Sequence, residues 1–337
     1  MTTTRTVWQI SSGPASRTYA DVFLRHGVGL VGPAGPGPWS PARADADYEG
    51  GFVRQIAAEV TAEDVFLLRN GLSTICAVGL VCGDYQFLPQ FDDVNGWDLN
   101  HGRRVRWCRL PEDHDFGGSI FGANPPRISR VWNEPVIDYA QRFLNSPPTN
   151  WQTAPLPSLP AEETALQDSE LPDRLQDLVA QVRDLYPVMW DRSQFPEHPA
   201  EDEVIANFTV PLLRALGWHP EHIAIKMRYR DVTLFRTLPR IPENCHLIIE
   251  AKRLGAGVEG ALPQGVGYVQ ALGVPRDVVV TDGIRYRLYD CQKDFAPAAY
   301  ANLANLKVSA LNLFARIKRP SITAINPLQE KYHGTLV

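Results

Sequence analysis

A glutamate and a lysine two residues apart, Glu250 and Lys252, end the apolar run HLIIEAKR. The apolar residues before them predict a buried strand, in which residues i and i+2 project from the same face. Both charges therefore lie together at the end of a buried element, where a charge without a partner is costly. This position indicates a chemical role for the pair.

A third charged residue belongs with this pair, because Asp231 opens the strand predicted just before it, in DVTLF. Neighbouring strands lie about 4.8 Å apart, so the carboxylates of Asp231 and Glu250 could share one divalent cation. Hard oxygen ligands favour Mg²⁺, for which Mn²⁺ can substitute. Lys252 beside the metal would orient an attacking water, lower the pKa of that water or stabilise the charge developing on a phosphate. These residues predict hydrolysis of phosphodiester bonds.

An aspartate followed after a gap by Glu-x-Lys at a strand end resembles the core of the PD-(D/E)xK nuclease superfamily. The likeness covers about 201–290 and extends to DEVIANFTVPLLRALGW upstream and to QGVGYVQALG and DVVVTDGIRYRLYD downstream. These elements look like the nuclease domain at the N-terminus of type I restriction motor subunits. The resemblance implies a metal-side carboxylate at Glu203 and a DNA-contacting Gln-x-x-x-Tyr element at Gln264 and Tyr268. The proline of the family motif is absent, since an arginine precedes Asp231.

Taken singly, these residues also fit structural roles. Salt-bridged strand ends are frequent, and Gln264 alone fits a helix surface. The histidines at 198, 219, 222 and 246 lack metal-ligand spacing and fit surface or core positions. The order of the matching elements favours an active nuclease over a degenerate, DNA-binding descendant.

The residues from 174 onward predict the elements that would hold this site. Apolar residues at helical spacing predict one helix in LPDRLQDLVAQVRDLYPVMW and a second at about 201–216. Strands are predicted in HIAIKMRY, DVTLFRTL and CHLIIEAK, then a helix near PQGVGYVQAL, strands in RDVVVTDG and IRYRLYD, and a closing helix in YANLANLKVSALNLFARI. This order predicts a mixed α/β domain with helices on the faces of one sheet.

The first 144 residues have a different pattern. Short β-like runs, RTVWQIS, GVGLVG, DVFLLRN, STICAVGLVC and RRVRWCRL, are broken by Gly and Pro turns, with a short helix predicted at 16–25. They predict a small, curved, mostly β domain. The segment 145–173 is rich in proline and in polar and acidic residues and predicts a linker to the second domain, 174–337.

The first domain resembles the PUA-like group of β-barrels that includes EVE and YTH domains, over about 7–143. The likeness lies in the order of DVFLLRNGLSTICAVGLVCGDYQF, RRVRWCRL and RISRVWNEPVIDYAQRF, in which WNE begins at Trp132. Such domains hold a flipped, modified base among aromatic rings and polar groups. The resemblance therefore implies recognition of a modified base, with a modified cytosine expected.

The candidates for this base pocket are Trp39, Trp97, Tyr85, Ser11 and Ser12. Both tryptophans lie in loops rich in Gly and Pro, where a ring is more often part of a site than in a strand. The two serines end the first predicted strand and offer hydroxyl or backbone contacts. YTH domains place one tryptophan of the pocket where this chain has Gly29, so Trp39 would have to substitute for it.

The run RRVRWCR contains a cluster of arginines, a residue that binds phosphate in bidentate fashion. Arg103, Arg104 and Arg106 are candidates for contacts to the DNA backbone, and a solvated edge strand is an equal alternative. The net charge of −5 argues against a nonspecific nucleic-acid coat protein.

Cysteine usage and hydropathy bear on location. The five cysteines are scattered, with no C-x-x-C pair, and predict neither a disulfide framework nor a zinc site. No apolar leader or membrane-length apolar stretch occurs, so we expect a cytoplasmic protein.

Together these features predict a modification-dependent restriction endonuclease that flips a modified base out of double-stranded DNA and cuts nearby with Mg²⁺. One nuclease site per chain implies a homodimer for cutting both strands. Two alternatives remain: a sequence-independent repair or defence nuclease whose first domain binds a partner or signal, and a non-catalytic protein that binds modified nucleic acid.

Overall fold

A computed structural model describes residues 5–13, 18–32, 35, 37–42, 51–191, 193–197, 199–228 and 230–320. His198 and the first residues of the helix predicted at 16–25 lie outside these ranges. Within them the chain is a mixed α/β structure built on two β-sheets. No described helix is both long enough and apolar enough to cross a membrane.

The first sheet contains seven strands. They are β1 (Val7–Ser11), β2 (Val28–Val31), β3 (Val65–Asn70), β4 (Thr74–Val81), β5 (Gln86–Phe87), β6 (His101–Asp115) and β7 (Ile128–Arg130). Their order is β2-β6-β4-β3-β1-β7, and β5 pairs with β6. Because β6 is long, its first residues pair with β2 and β5 and its later residues with β4.

Helices cover both faces of this sheet. They are α1 (Ala20–His26), α2 (Phe52–Arg54), which continues as a π-helical turn (Gln55–Glu59), and α3 (Glu134–Asn145). One face of β3 packs Phe66 against Phe23 of α1, while Val65 on the other face packs with Val136 of α3. Burial on both faces explains why β3 reads as an uninterrupted apolar run.

The second sheet contains six strands in the order β13-β12-β11-β10-β9-β8. They are β8 (Ile223–Met227), β9 (Arg230–Phe235), β10 (Cys245–Ala251), β11 (Asp277–Thr281), β12 (Arg285–Asp290) and β13 (Ala296–Asn302). β10 and β11 pair in parallel, which requires a crossover between them, and the other neighbours pair antiparallel.

The helices of this half are α4 (Asp173–Trp190), α5 (Glu201–Val204), a π-helical turn (Ile205–Thr209), α6 (Val210–Ala215), α7 (Leu262–Leu272) and α8 (Ala310–Ile317). α4, α6 and α8 pack on one face of the sheet, and the crossover helix α7 covers the other. Along β10, Leu247 and Ile249 face the first group of helices, and Ile248 faces α7. Residues of β10 with even numbers therefore lie under α7.

The strands predicted from the sequence are present, but the predicted closing helix is partly wrong. Its first residues belong to β13, which pairs with β12 at the edge of the sheet, and only α8 is helical. The run APAAYAN is rich in alanine, which has little strand propensity, so pairing with β12 rather than local preference decides its conformation.

The segment 145–173 connects the two halves, as predicted, but contacts both of them. Trp151 is buried and packs edge-on against Phe143 of α3. Further along, the N–H of Leu166 donates to the carbonyl of Leu306 at 3.0 Å, and Leu171 is buried in the core of the second half. Because of these contacts, the segment is more restrained than a flexible linker would be.

The two halves meet through charged side chains on the loop between β5 and β6. Arg285 of β12 is 1% exposed and lies 2.7 Å from the Asp98 carboxylate, while it also pairs with Asp282. Although burial opposes the charge, Asp282 and Asp98 hold the pKa of Arg285 well above its usual value. This buried cation joins the two sheets.

Asp92, on the same loop, is buried against the second sheet. Its Oδ2 accepts a hydrogen bond from Asn305 at 2.8 Å, and its Oδ1 accepts none from the residues that the structure describes. Burial raises the pKa of Asp92 to about 7, and the charge of Asp98 adds to the rise. Asp92 therefore carries a proton near neutral pH that it loses when the chain unfolds.

This titration predicts a pH-dependent stability that Asp92→Asn removes. Between about pH 4, the pKa of an unfolded aspartate, and pH 7, the folded protein binds one more proton, so the free energy of unfolding falls as pH rises, by up to about 1.4 kcal/mol per pH unit. Urea denaturation at pH 5 and pH 8 should show a smaller decrease for Asp92→Asn than for wild type. Equal decreases would contradict the assignment.

Candidate functional site

Asp231 and Glu250 lie opposite each other on neighbouring strands. Ile248 pairs with Thr233 and Ile249 with Val232, so continuing this antiparallel register by one residue places Glu250 beside Asp231. Both side chains are on the face covered by α7, and their exposed fractions are 0% for Glu250 and 4% for Asp231. The strand pairing thus brings two buried carboxylates together, as the sequence predicts.

The Glu250 carboxylate is only half satisfied by hydrogen bonds. Its Oε1 accepts a hydrogen bond of 2.6 Å from Lys252 Nζ, and within the described part of the chain its buried Oε2 has no hydrogen-bond partner. Burial raises the pKa of Glu250 to about 7; the hydrogen bond from Lys252 opposes this rise and the charge of Asp231 adds to it. A cation close to Oε2 would relieve both the burial of the charge and the repulsion between the carboxylates.

Lys252 is the centre of a hydrogen-bond network that reaches α7. Besides Glu250, its Nζ donates to Gln264 Oε1 at 3.1 Å and to Glu201 Oε1 at 3.4 Å. The Gln264 amide in turn donates to the Tyr268 hydroxyl at 2.8 Å. Although burial favours the neutral amine, the hydrogen bond to Glu250 raises the pKa of Lys252, which therefore stays charged. Four of the predicted site residues are connected in this way.

The close approach of α7 depends on a glycine. A Cβ at Gly265 would lie 2.6 Å from Cγ1 of Val278 on β11 and 3.8 Å from Cβ of Glu250. The missing side chain lets the first turn of α7 lie directly on the sheet. Gln264 consequently reaches Lys252.

On the first helix, Glu201 contacts Lys252, whereas Glu203, the predicted metal-side carboxylate, does not. The Oε1 of Glu203 accepts a long hydrogen bond, 3.4 Å, from the N–H of Ala200 at the beginning of its own helix. Glu201 contacts Lys252, and its charge also raises the pKa of Glu250. The direction of a side chain at a helix start depends on where the helix begins, which the motif spacing does not specify.

A second lysine, Lys226, was missed in the sequence. Its Nζ lies 2.6 Å from Asp231 Oδ1 and 3.1 Å from Asp202 Oδ1. Although burial opposes it, the hydrogen bonds to these carboxylates raise the pKa of Lys226. Asp231 Oδ2 accepts from the N–H of Ala251 at 2.7 Å. The antiparallel pairing of β8 with β9 could have indicated that Lys226 is close to Asp231.

Another group of acidic side chains is less suited to a cation. Asp277, Asp290 and Cys291 place ligand atoms close together among the described residues. Arg316 Nη2 already lies 2.8 Å from Asp277 and 3.3 Å from Asp290. A guanidinium therefore balances this charge, whereas Glu250 keeps an unpartnered oxygen.

A cavity of about 980 Å³, here called the intersheet cavity, lies between the two halves of the chain. Its lining from the first half includes Ser11, Tyr19, Leu30, Arg69, Trp97 and Arg127. Its lining from the second half is Ala256, Gly260, Leu262 and Pro263, which we call the second wall. This wall comprises part of the segment that joins β10, which bears Glu250, to α7, together with the first residues of α7, which bears Gln264.

Of the residues predicted for a base pocket, only Trp97 and Ser11 are among the described lining of this cavity. Trp97 also stacks on the Arg127 guanidinium, 4.4 Å from the ring centre. Trp39 and Tyr85 interact with each other, because the backbone N–H of Trp39 donates to the Tyr85 hydroxyl at 3.0 Å. The Ser12 hydroxyl donates to the carbonyl of Arg69. Gly29 lies on Phe66, so no aromatic ring fits there.

The arginine cluster of β6 has structural contacts. Arg103, a predicted contact to DNA phosphate, is 5% exposed and donates to the carbonyls of Ile56, Gly83 and Ala57. Arg104 donates to the carbonyls of Gly27, His26 and Pro157, and Arg106 donates to that of Ala154. These two residues fasten the connecting segment to the first sheet.

Comparison with known proteins yields one match. Residues 40–121 match a family described as a domain of unknown function, DUF8426. The matched region contains β3, β4, β5 and the whole of β6, and it ends before the second sheet begins. No curated protein and no solved structure matches the chain.

The effect of each substitution on Mn²⁺ affinity distinguishes the roles of Glu201 and Glu203. Removing the Glu201 charge beside Lys252 and Glu250 should weaken Mn²⁺ binding by about 1 kcal/mol, roughly fivefold in dissociation constant. Glu203→Gln, a matched charge loss on the same helix, should change the affinity much less. Titration calorimetry of Glu201→Gln and Glu203→Gln compares them, and a larger effect of Glu203→Gln would restore the sequence-based assignment.

Proposed function

We propose that this chain is a Mg²⁺-dependent endonuclease whose first half recognises a modified base in double-stranded DNA. The observation that carries the proposal is Glu250: a fully buried carboxylate, opposite Asp231 and bound to Lys252, with one oxygen that has no hydrogen-bond partner among the described residues. A structural salt bridge would satisfy both oxygens. A site that binds a cation during catalysis keeps one carboxylate oxygen available to coordinate it.

The residues present fit a divalent cation. Glu250, through Oε2, and Asp231 would hold it, with Glu201 adding negative charge nearby. Asp231 would exchange its hydrogen bond from Lys226 Nζ for the cation. Carboxylate oxygens are the ligands that Mg²⁺ and Mn²⁺ prefer. When bound, such an ion polarises a phosphate oxygen and lowers the pKa of a bound water.

Lys252 and the residues hydrogen-bonded to it would orient the attacking water and stabilise charge on the phosphate. Its charged Nζ, fixed by Glu250 and Gln264, would orient a water and stabilise negative charge on the phosphate that is attacked. Gln264 and Tyr268, which are hydrogen-bonded to each other on α7, would contact the DNA backbone at the edge of the site. Groups held in advance need no rearrangement during the reaction, which favours catalysis.

The arrangement of elements supports a PD-(D/E)xK fold for the second half. A helix bearing Glu201 precedes three antiparallel strands, and α7 then crosses over to the parallel strand β11. Asp231 and Glu250 lie on the middle two of the first four strands, as the superfamily resemblance implies. The curved first sheet, with β6 shared by two groups of strands, is compatible with a PUA-like barrel.

The intersheet cavity supports the recognition half of the proposal. It combines aromatic and apolar lining with the polar side chains of Ser11 and Arg69, the composition that holds a base by stacking and by hydrogen bonds to its edge. A nuclease with no sequence code of its own needs such a reader to spare unmodified DNA. Because cleavage of both strands takes two sites, the active form would be a homodimer.

The metal site is tested by isosteric changes. Asp231→Asn and Glu250→Gln should each lower the rate of Mg²⁺-dependent cleavage of modified phage DNA roughly 100-fold or more, because each removes a metal ligand. DNA binding without metal should persist, since the lost carboxylate repels phosphate. Lys293→Ala, a charge loss at an exposed position, is the control. Full cleavage by either site variant would refute the assignment.

The role of Lys252 has its own pair of variants. Lys252→Ala should abolish most cleavage while Mn²⁺ binding persists, because the lysine stabilises charge on the phosphate and is not a ligand. Lys252→Arg should restore only part of the rate, since the guanidinium is larger and its charge is spread. Cleavage rates and calorimetry together check this, and wild-type rates for Lys252→Arg would speak against a specific role for the amine.

The recognition half is tested by Trp97, with Trp39 as the matched control. Trp97→Ala should weaken binding to modified DNA by about 1–3 kcal/mol, the range for a lost contact between an aromatic ring and a base. Trp39→Ala removes the same side chain outside the cavity lining and should weaken it less. Binding to unmodified DNA depends on phosphate contacts and should change little. An equal modified-to-unmodified ratio in Trp97→Ala and wild type would exclude the cavity as the reader.

A further inference from the structure

The intersheet cavity is larger than a single base needs. At about 980 Å³ it is near the upper end of the ~300–1,000 Å³ range of pockets that enclose drug-sized ligands. A flipped pyrimidine held against Ser11 and Leu30 of the first sheet would fill only part of this volume. The remaining space extends toward the second wall.

Two residues of the second wall have little or no side chain. A Cβ at Gly260 would have no heavy atom within 4 Å, and Ala256 carries only a methyl group. The backbone of this wall is held from both sides by tryptophans. A Cβ at Gly257 would lie 2.5 Å from the Trp97 ring, and one at Gly255 would collide with Trp190. The wall is therefore fixed, and the space beside Gly260 belongs to the cavity.

The charge of the lining restricts the ligand. Among the described lining residues the charged ones are Arg69 and Arg127, and none is acidic. Arg69 is fixed by donating to Gln9 and to the carbonyls of Gly71 and Pro126, which uses three of the five N–H donors of its guanidinium. Tyr19 and Asn124 add further polar groups. Such a lining disfavours a cationic substituent and suits hydroxyl groups.

We propose that the intersheet cavity binds a base bearing a bulky, neutral, hydroxyl-rich substituent, with the base against the first sheet and the substituent against the second wall. This inference rests on the proposed function, because it specifies the ligand of the proposed reader. The substituent then contacts the segment that joins Lys252 to Gln264, with Pro263 next to the active-site glutamine. Recognition of the modification and alignment of the nuclease site thus take place along one stretch of chain.

The ligand class is tested with the unaltered full-length protein. Duplexes of one sequence carry a single cytosine, 5-methylcytosine, 5-hydroxymethylcytosine or glucosylated 5-hydroxymethylcytosine. We expect fluorescence anisotropy without divalent metal to give a dissociation constant about tenfold or more lower for the glucosylated than for the methylated duplex. Equal or tighter binding of the methylated duplex overturns the inference.

The same duplexes separate this inference from the proposed function. If the expected order of binding appears but Mg²⁺ gives no cleavage, the nuclease half of the proposed function fails and the inference stands. If all four duplexes bind equally, the reader half fails and the inference fails with it. If the methylated duplex is preferred, the reader stands and only the inference is overturned.

A substitution in the second wall tests where in the cavity the substituent binds. Gly260→Leu fills the open space at the second wall and should weaken binding of the glucosylated duplex about tenfold while sparing the methylated one. Gln292→Leu, the same new side chain at an exposed position, should leave both unchanged. An equal loss for both duplexes in Gly260→Leu overturns the inference. Should that variant fail to fold, Ala256→Val on the same wall serves the same purpose.

Discussion

The buried guanidinium of Arg285 holds the two halves of the protein in one arrangement. It lies between Asp98 from the first half and Asp282 from the second, and all three side chains are at most 3% exposed. Removing one member of a buried ion pair generally costs about 3–5 kcal/mol, because the other charge is left without a partner. Asp282 also accepts the Gly257 N–H at 3.0 Å. The contact that joins the sheets therefore also fixes the segment between β10 and α7.

That segment links the cavity to the acidic site. Trp97 packs on Gly257 from the first half, Trp190 packs on Gly255 from the second, and positive φ angles of 76° at both glycines allow the chain to turn there. Lys252 precedes the segment and Gln264 follows it, and the two side chains meet at 3.1 Å. Any shift of one half against the other would thus move groups around Glu250.

Much of the second half was predictable because its signals are local. Each strand or helix is an apolar pattern of regular period, and Asp231, Glu250 and Lys252 meet because antiparallel pairing and the two-residue period of a strand leave few alternatives. β13 was not predictable in this way, since its alanines gain a strand conformation only by pairing with β12. Glu201 rather than the predicted Glu203 contacts Lys252, because the exact start of a helix decides which side chain turns toward a neighbouring element.

By itself, the sequence determined the mixed α/β class, most strand positions and the set of charged residues that gather at the end of β10, because periodicity and strand geometry act over a few residues. Only the tertiary structure decided which aromatic rings and arginines border the cavity. Trp97 and Arg127 line it, whereas Trp39 and Arg103 are used in packing and in bonds to carbonyls. The reason is physical: the direction of a loop side chain depends on contacts between residues far apart in the chain, and such contacts leave no local pattern.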